Sequence, residues 1–257
     1  MKIIHMSDFH LTKDGCPIWE TNTIEHFNKS IEIIRGMKGI DVIIVTGDIS
    51  EDGSIWTYQY TDKMFASVGI PTLCCPGNHD SIKVMLKDYV PSFYQVLPPA
   101  CIICGWKIVT LNSVISEKKD SSQNKSRGFL SEESLNYIQQ ELDEGLPTII
   151  ALHHPPQEPG GWLNRRLLEN RDEFNNMISK YDNARLVIYG HTHYFTEVQQ
   201  GHTRYSSSTS IGFAFDKDFP KFQIYDGHEG FSLIEINNSI INIRNVNLKS
   251  MRSRGLP

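Results

Sequence analysis

Five short apolar runs without polar alternation punctuate the first three quarters of the chain. They are Ile3-Ile4, Val42-Ile43-Ile44-Val45, Pro71-Thr72-Leu73-Cys74-Cys75, Thr148-Ile149-Ile150-Ala151-Leu152 and Leu186-Val187-Ile188-Tyr189. Runs of this length, rich in β-branched residues, predict strands covered on both faces, as in parallel sheets. Between them the apolar positions change period. Ile24, Phe27, Ile31 and Ile34 recur at helical spacing, as do Leu135, Ile138 and Leu142, and then Phe174, Met177, Ile178 and Tyr181. The helix after residue 130 has readable ends: Ser131 to cap its free amides, Leu130 and Leu135 as a hydrophobic staple, Gly145 and Pro147 to close it. Strands alternating with amphipathic helices predict an α/β architecture.

From about residue 195 the pattern changes. Thr196–Gln200, Thr203–Ser207, Phe222–Tyr225, Phe231–Ile236 and Ile240–Asn247 read as antiparallel strands joined by Gly-rich turns. Residues 116–127 (SEKKDSSQNKSR) are polar and aperiodic and read as a flexible loop. With no internal repeat and no low-complexity linker, the expectation is a single domain over residues 1–257.

Composition narrows the function classes. The 257 residues are 39% apolar and 21% charged, which excludes a disordered chain. Mean hydropathy is −0.33 and no apolar run approaches the ~20 residues that cross a bilayer. The opening MKIIHMSDFH lacks the long apolar stretch of a secretory signal. A net charge of −5 without a basic tract argues against nucleic acid as a partner. Five cysteines, an odd number, fit a reducing compartment, so the expected location is the cytoplasm.

The residues just beyond each apolar run carry the chemistry. The first run leads to Asp8-Phe9-His10 and the second to Gly47-Asp48. The third leads to Gly77-Asn78-His79-Asp80, the fourth to His153-His154-Pro155 and the fifth to Gly190-His191-Thr192-His193. Ligands of open α/β sheets bind beyond the carboxyl ends of the strands. Taken singly, each His reads as a hydrogen-bonded core or loop residue. Gly-His-x-His is more specific, with about 0.03 chance occurrences expected in a chain of this composition. Five coincidences at equivalent places favour a shared site. Asp8, His10, Asp48, Asn78, His153, His191 and His193 form an oxygen and nitrogen donor set without thiolate, suited to Mn, Fe, Co or Zn. Seven donors are too many for one tetrahedral ion and suit two ions that share a carboxylate. Such a pair holds a hydroxide and a phosphate anion, which is the equipment of phosphoryl chemistry.

These blocks, in this order, resemble the calcineurin-like metallophosphoesterase superfamily, with its pattern D-x-H, G-D, G-N-H-[DE], H, G-H-x-H. The resemblance implies a four-layer αββα sandwich and a dinuclear centre. It assigns Asp8, His10, Asp48 and His193 to one ion and Asp48, Asn78, His153 and His191 to the other, with Asp48 bridging. It sets His79 beside the phosphate, oriented by Asp80. A narrower resemblance, to the bacterial class III cyclic-nucleotide phosphodiesterases, rests on Gly128-Phe129-Leu130-Ser131, His153-His154-Pro155-Pro156, Leu168–Phe174, Tyr205–Ser210 and Gly230-Phe231. It implies hydrolysis of small phosphodiesters such as 3′,5′-cyclic nucleotides by a hydroxide held between the ions, and a homodimer. In that scheme His79 and Asp80 are catalytic, and Asn78, His79 and His154 touch substrate. His154 is equally readable as packing behind the metal shell, and Arg165 and Arg166 as solvated charge near the cleft mouth.

Three alternatives stand beside this reading: a phosphomonoesterase, a nucleotide pyrophosphohydrolase on the same centre, and a non-catalytic scaffold that keeps the fold. Cys101-Ile102-Ile103-Cys104 has the spacing of a zinc or redox pair, but it lies in a strand-like stretch without a second such pair, which predicts buried, inert thiols.

Overall fold

The computed structural model describes residues 1–115 and 126–250. Two six-stranded mixed sheets lie face to face. The first runs, edge to edge, through β12 (Ile240–Asn247), β11 (Gly230–Asn237), β1 (Lys2–Met6), β2 (Val42–Val45), β3 (Thr72–Cys74) and β4 (Tyr94–Val96). The second runs through β5 (Cys101–Ile103), β6 (Trp106–Thr110), β7 (Thr148–Leu152), β8 (Ala184–Tyr189), β10 (Thr203–Ser207) and β9 (Glu197–Gln200). β1 to β4 are parallel neighbours, as are β6, β7, β8 and β10. The antiparallel pairings sit at the margins: β1 with β11, β11 with β12, β5 with β6 and β10 with β9.

Both faces of the central strands are covered, which is why their sequences lack polar alternation. Ile4, Met6, Ile43 and Val45 turn outward onto α1 (Thr23–Gly36) and α2 (Ile55–Val68), against Phe27, Ile31, Tyr58 and Phe65. Ile3, Val42 and Ile44 turn inward and meet Ile108, Ile149, Leu186 and Ile188 of the second sheet. The other face of that sheet, with Val109, Ile150 and Val187, is covered by Ile138 and Leu142 of α3 (Glu132–Asp143) and by Phe174 and Ile178 of α4 (Arg171–Ile178). The layers are therefore α, β, β, α. Each of these fully buried aliphatic or aromatic side chains contributes about 1.5–3 kcal/mol of transfer free energy.

The expected N-cap of α3 is present: Ser131 Oγ accepts from the Ser134 amide at 3.1 Å. Two other expectations change. Phe222–Tyr225 forms no strand; it meets the chain through one isolated bridge, Phe215 to Ile224. The stretch from Cys101 to Leu111 is a hairpin, with Cys104 exposed in its turn at φ 49°. Only Cys74 and Cys75 are fully buried thiols, while Cys101 is half-buried. Most of the loop expected at 116–127, namely residues 116–125, lies outside the described residues. No helix among the described residues is long and apolar enough to cross a membrane.

Candidate metal centre

The carboxyl ends of β1, β2, β3, β7 and β8 meet at one place, and the turns beyond them are conformationally unusual. Asp8, His10, Asp48, His191 and His193 all have left-handed backbone, with φ between 48° and 67°. For residues other than glycine this conformation costs free energy and persists where the surroundings enforce it, typically at functional sites. Here the turns aim consecutive side chains back over the strand ends. The neighbouring glycines serve different needs. Gly47 itself lies at φ 88°. Gly77 and Gly190 are required by close approach: a Cβ on Gly77 would sit 2.2 Å from Asp48 Oδ1, and one on Gly190 would sit 1.9 Å from Ser7 Oγ.

The donors fall into two groups. Around the first, His10 Nε2 lies 3.2 Å from His193 Nε2, 3.7 Å from Asp48 Oδ2 and 4.0 Å from Asp8 Oδ1, while His193 Nε2 lies 3.4 Å from Asp8 Oδ1. Around the second, His153 Nε2 lies 3.1 Å from Asn78 Oδ1, 3.1 Å from His191 Nδ1 and 3.3 Å from Asp48 Oδ2. Asp48 Oδ2 belongs to both. Its other oxygen is held by the His79 amide, 2.8 Å away. The two aspartates and four histidines of these groups are buried, and Asn78 is half-buried.

The rear nitrogens fix the tautomers. His153 Nδ1 donates to the Thr46 carbonyl at 2.7 Å and His193 Nδ1 to the Phe213 carbonyl at 2.8 Å. His10 Nδ1 faces Glu51 Oε2 at 2.7 Å. With those protons placed at the rear, His10 and His193 turn bare Nε2 lone pairs towards each other at 3.2 Å. Two lone pairs at that range repel unless a cation lies between them. Donors bound to one ion at about 2.1 Å are themselves about 3.0–3.4 Å apart, and five of the seven donor–donor distances above lie in that range. The facing pair of bare nitrogens is the contact that an ion would relieve. Orienting a metal-binding imidazole through its second nitrogen is the usual arrangement.

Electrostatics separate the two carboxylates. Burial raises the Asp8 pKa, with Asp48 adding to the rise and His153 and His10 opposing it. Asp48 is buried too, but His153, His79 and His10 together hold it well below the usual carboxylate range. Asp48 is thus the fixed negative charge of the site. Burial would lower His153, but Asp48 and Asp8 outweigh it and push its pKa up to about 9. Burial keeps His191 and His193 well below the ordinary imidazole value, with His153 adding to the effect on the first and His10 on the second. Neutral imidazole is the form that binds a metal.

One expectation about the residues around this cluster changes. The orienting partner of His79 is Glu51, not Asp80. His79 Nδ1 lies 3.0 Å from Glu51 Oε2. Asp80 instead accepts from the amides of Ile49, Ser50 and Gly77 and from the Tyr58 hydroxyl, tying the loop after β2 to the loop after β3. Four donors occupy its two oxygens, and the side chain points into the fold. Glu51 stands three residues after Asp48 in the same loop, so its spacing offered a signal that sequence reasoning passed over. His154 is fully buried, with its Nδ1 at 2.9 Å from Ser113 Oγ and its ring against His153 and His191. The ring has no exposed surface and packs behind the cluster beside His153 and His191, the second of the two readings open to it. Arg166 bonds Ser126 Oγ, and the Arg165 side chain lies outside the described residues. His79, by contrast, is 39% exposed and marks the open side of the site.

Residues 1–195 match the calcineurin-like phosphoesterase family. The 3′,5′-cyclic-nucleotide phosphodiesterase of Nostoc sp. is 28% identical over 242 residues, covering 92% of this chain and 88% of its own. The 3′,5′-cyclic adenosine monophosphate phosphodiesterase CpdA of Escherichia coli K12 is 25% identical over 249 residues, covering 92% and 85%. Among solved structures, a dimetal phosphatase from Danio rerio shares the fold with a TM-score of 0.74 over 96% of each chain, at 11% identity. A protein of Thermus thermophilus shares it at 0.64, over 95% and 98%, at 15% identity. The family match over three quarters of the chain, the αββα layers and the clustered Asp, Asn and His donors converge: this chain belongs to the calcineurin-like phosphoesterase family, whose members are metal-dependent phosphoesterases.

Proposed function

We propose that the protein is a dinuclear phosphodiesterase that opens small diesters, 3′,5′-cyclic nucleotides among them, acting as one domain in the cytoplasm. Asp8, His10, Asp48 and His193 would hold one ion, and Asp48, Asn78, His153 and His191 the other, with Asp48 shared. The carrying observation is that one oxygen, Asp48 Oδ2, lies 3.7 Å from His10 Nε2 and 3.3 Å from His153 Nε2, between the two donor groups. The relatives named as cyclic-nucleotide phosphodiesterases support the substrate class. When bound, two cations supply hydroxide near neutral pH and neutralise charge on a phosphoryl group.

The protein's own residues do the rest. Glu51 takes His79 Nδ1, which leaves Nε2 to face substrate. Burial lowers the His79 pKa, yet Asp48 and Glu51 carry it up to about 9 while no cation shares their charge, and Glu51 still holds the ring when Asp48 turns to the ions. His79 Nε2–H can then pass its proton to the departing oxygen as the P–O bond breaks. Asn78 turns its amide oxygen towards His153, leaving its NH2 for a phosphoryl oxygen. Asp80, through its backbone donors, keeps Asn78 and His79 in place beside Asp48.

The test measures metal per chain beside turnover of 3′,5′-cyclic AMP, bis(p-nitrophenyl) phosphate and p-nitrophenyl phosphate. Two ions per chain and a preference for diesters are expected. Asp48→Ala should lose metal and at least about 100-fold in kcat/KM. A strong preference for the monoester would replace this reading with a phosphatase. Two bound ions with no turnover of any ester would replace it with a scaffold.

A further inference from the structure

Beside the metal cluster runs a wall of aromatic rings that the hydrolytic chemistry does not use. His10 packs on Phe213 with ring centroids 4.8 Å apart, and Phe213 meets Trp19 at 4.8 Å. His193 stacks flat on Phe215 at 4.3 Å and 9°, and Phe215 meets Phe222 at 5.1 Å. Trp19 and Phe222 close the wall, 4.6 Å apart and edge to face. Phe213 and Phe215 are buried beneath, but Trp19 is 54% exposed and Phe222 44%. Scattered exposed apolar residues are ordinary; large rings joined to one another and to the polar floor of a cleft are not.

The backbone under Trp19 carries a second, independent signal. Ile18 and Thr21 exchange both amide hydrogen bonds, at 3.0 and 2.9 Å, so Trp19 and Glu20 form a two-residue hairpin turn. Both central residues are left-handed, at φ 47° and 66°. A turn of this kind favours Asn or Gly, and a bulky side chain there costs free energy. A tryptophan held in such a position, and then left half in solvent, has its identity set by what it touches rather than by the turn.

We propose that Trp19 and Phe222 form the stacking surface for the planar ring of the substrate, the nucleobase of a cyclic or linear nucleotide ester, while the metal cluster takes its phosphate. This rests on the phosphodiesterase reading and extends it to the part of the substrate that does not react. The placement suits it: one buried ring, Phe213, joins Trp19 to His10, at centroid distances of 4.8 Å to each. Stacking on an aromatic face tolerates any base, because each presents a π-surface, so the wall selects nucleotides over ring-free diesters without choosing among bases.

The experiment has two arms on the full chain. In the first, chelator-treated protein is titrated with adenosine 5′-monophosphate and with ribose 5-phosphate while tryptophan fluorescence is read. The nucleotide should change the emission, ribose 5-phosphate should not, and the change should vanish in Trp19→Phe. In the second, the metal-loaded enzyme is assayed on 3′,5′-cyclic AMP and on glycerophosphoethanolamine, a diester without a ring. The ratio of the two kcat/KM values should fall about tenfold or more in Trp19→Ala, through KM, and recover in Trp19→Tyr. Equal fluorescence responses to the two phosphates, or an unchanged ratio in Trp19→Ala, would overturn the proposal. The second of these is also what a surface kept for a protein partner would give. If the enzyme turned over no diester at all, the phosphodiesterase reading would fall, and the fluorescence arm would still decide the stacking surface.

Discussion

The two sheets contribute to the proposed metal centre in unlike ways. The first supplies every carboxylate of the site: Asp8 after β1, and Asp48 and Glu51 after β2. The second supplies imidazoles alone, His153 after β7 and His191 and His193 after β8. Their supports differ in the same sense. His10 of the first sheet is braced by an anion, Glu51, whose burial is outweighed by His10 and His79 so that its pKa falls to about 2. His153 and His193 of the second are braced by neutral carbonyls. Several of these bonds cross from sheet to sheet. His153 reaches the Thr46 carbonyl at the end of β2, and the His191 amide donates to both oxygens of Asp8, at 3.1 and 3.0 Å. Negative charge thus comes from one layer, and imidazoles and a backbone amide that face it come from the other. The centre exists only while the two layers keep their separation.

Forcing them apart should have the largest effect. Gly190 sits on the seam, where an added Cβ would lie 1.9 Å from Ser7 Oγ and 2.9 Å from both Asp8 Oδ2 and the Thr46 carbonyl. Gly190→Ala should cost about 3 kcal/mol in urea unfolding, the upper range of overpacking, and should lower metal content because His191 moves with it. A variant within about 0.5 kcal/mol of wild type that still binds two ions would show that the layers have slack.

Removing the anionic brace tests the first sheet alone. Glu51→Gln keeps a hydrogen-bonding side chain but takes away the charge facing His10 and His79, at 2.7 and 3.0 Å. A loss of about 10–100-fold in metal affinity or kcat/KM is expected, the usual cost of removing a ligand's supporting partner. His153 and His193 rest on carbonyls and should be indifferent to it. Calorimetric metal titration reads this directly: one of two binding steps should weaken. Equal weakening of both steps would mean that the brace serves the whole centre.

The division between sheets was half legible in the sequence. Every donor-bearing block comes after an apolar run because parallel strands buried on both faces must end abruptly, and the chemistry collects there. That made Asp8, Asp48, Asn78 and the histidine blocks visible, and Ser131 with Gly145 marked α3 for the same local reasons. α2 was not visible, because its buried face carries Thr57, Thr61 and Asp62 beside Tyr58 and Phe65, which hides the apolar period. Nor was the parallel pairing of β10 with β8, since the neighbouring β9 suggested only a hairpin. Side-chain direction was the other gap. Asp80 adjoins His79 in sequence, yet its carboxylate turns to the amides of Ile49, Ser50 and Gly77, and Glu51 reaches the ring from another loop.

The smallest of these effects concerns an imidazole of the first sheet that lies beside the cluster without facing it. His5 on β1 is fully buried, with Nε2 at 2.9 Å from Thr46 Oγ1 and no other partner for its ring among the described residues. Burial drives its pKa down to about 3. The folded protein therefore holds His5 neutral, while the unfolded chain takes up a proton below about pH 6.5. Stability from this group is complete above about pH 6.5 and is lost as the pH falls towards 3, because the unfolded state then binds more protons. Between pH 7 and pH 5 wild type should lose about 2 kcal/mol more than His5→Gln, read as the difference between their urea-unfolding free energies at the two pH values. The second-sheet histidines His191 and His193 are also held neutral, but in the proposed centre their bare nitrogens would bind a cation, so their share of the pH dependence should grow when metal is added. The His5 increment should be the same with metal or with chelator. If it too depended on metal, His5 would belong to the centre, and the contrast between the carboxylate-bearing and the imidazole-bearing layer would have to include a third imidazole from the first sheet.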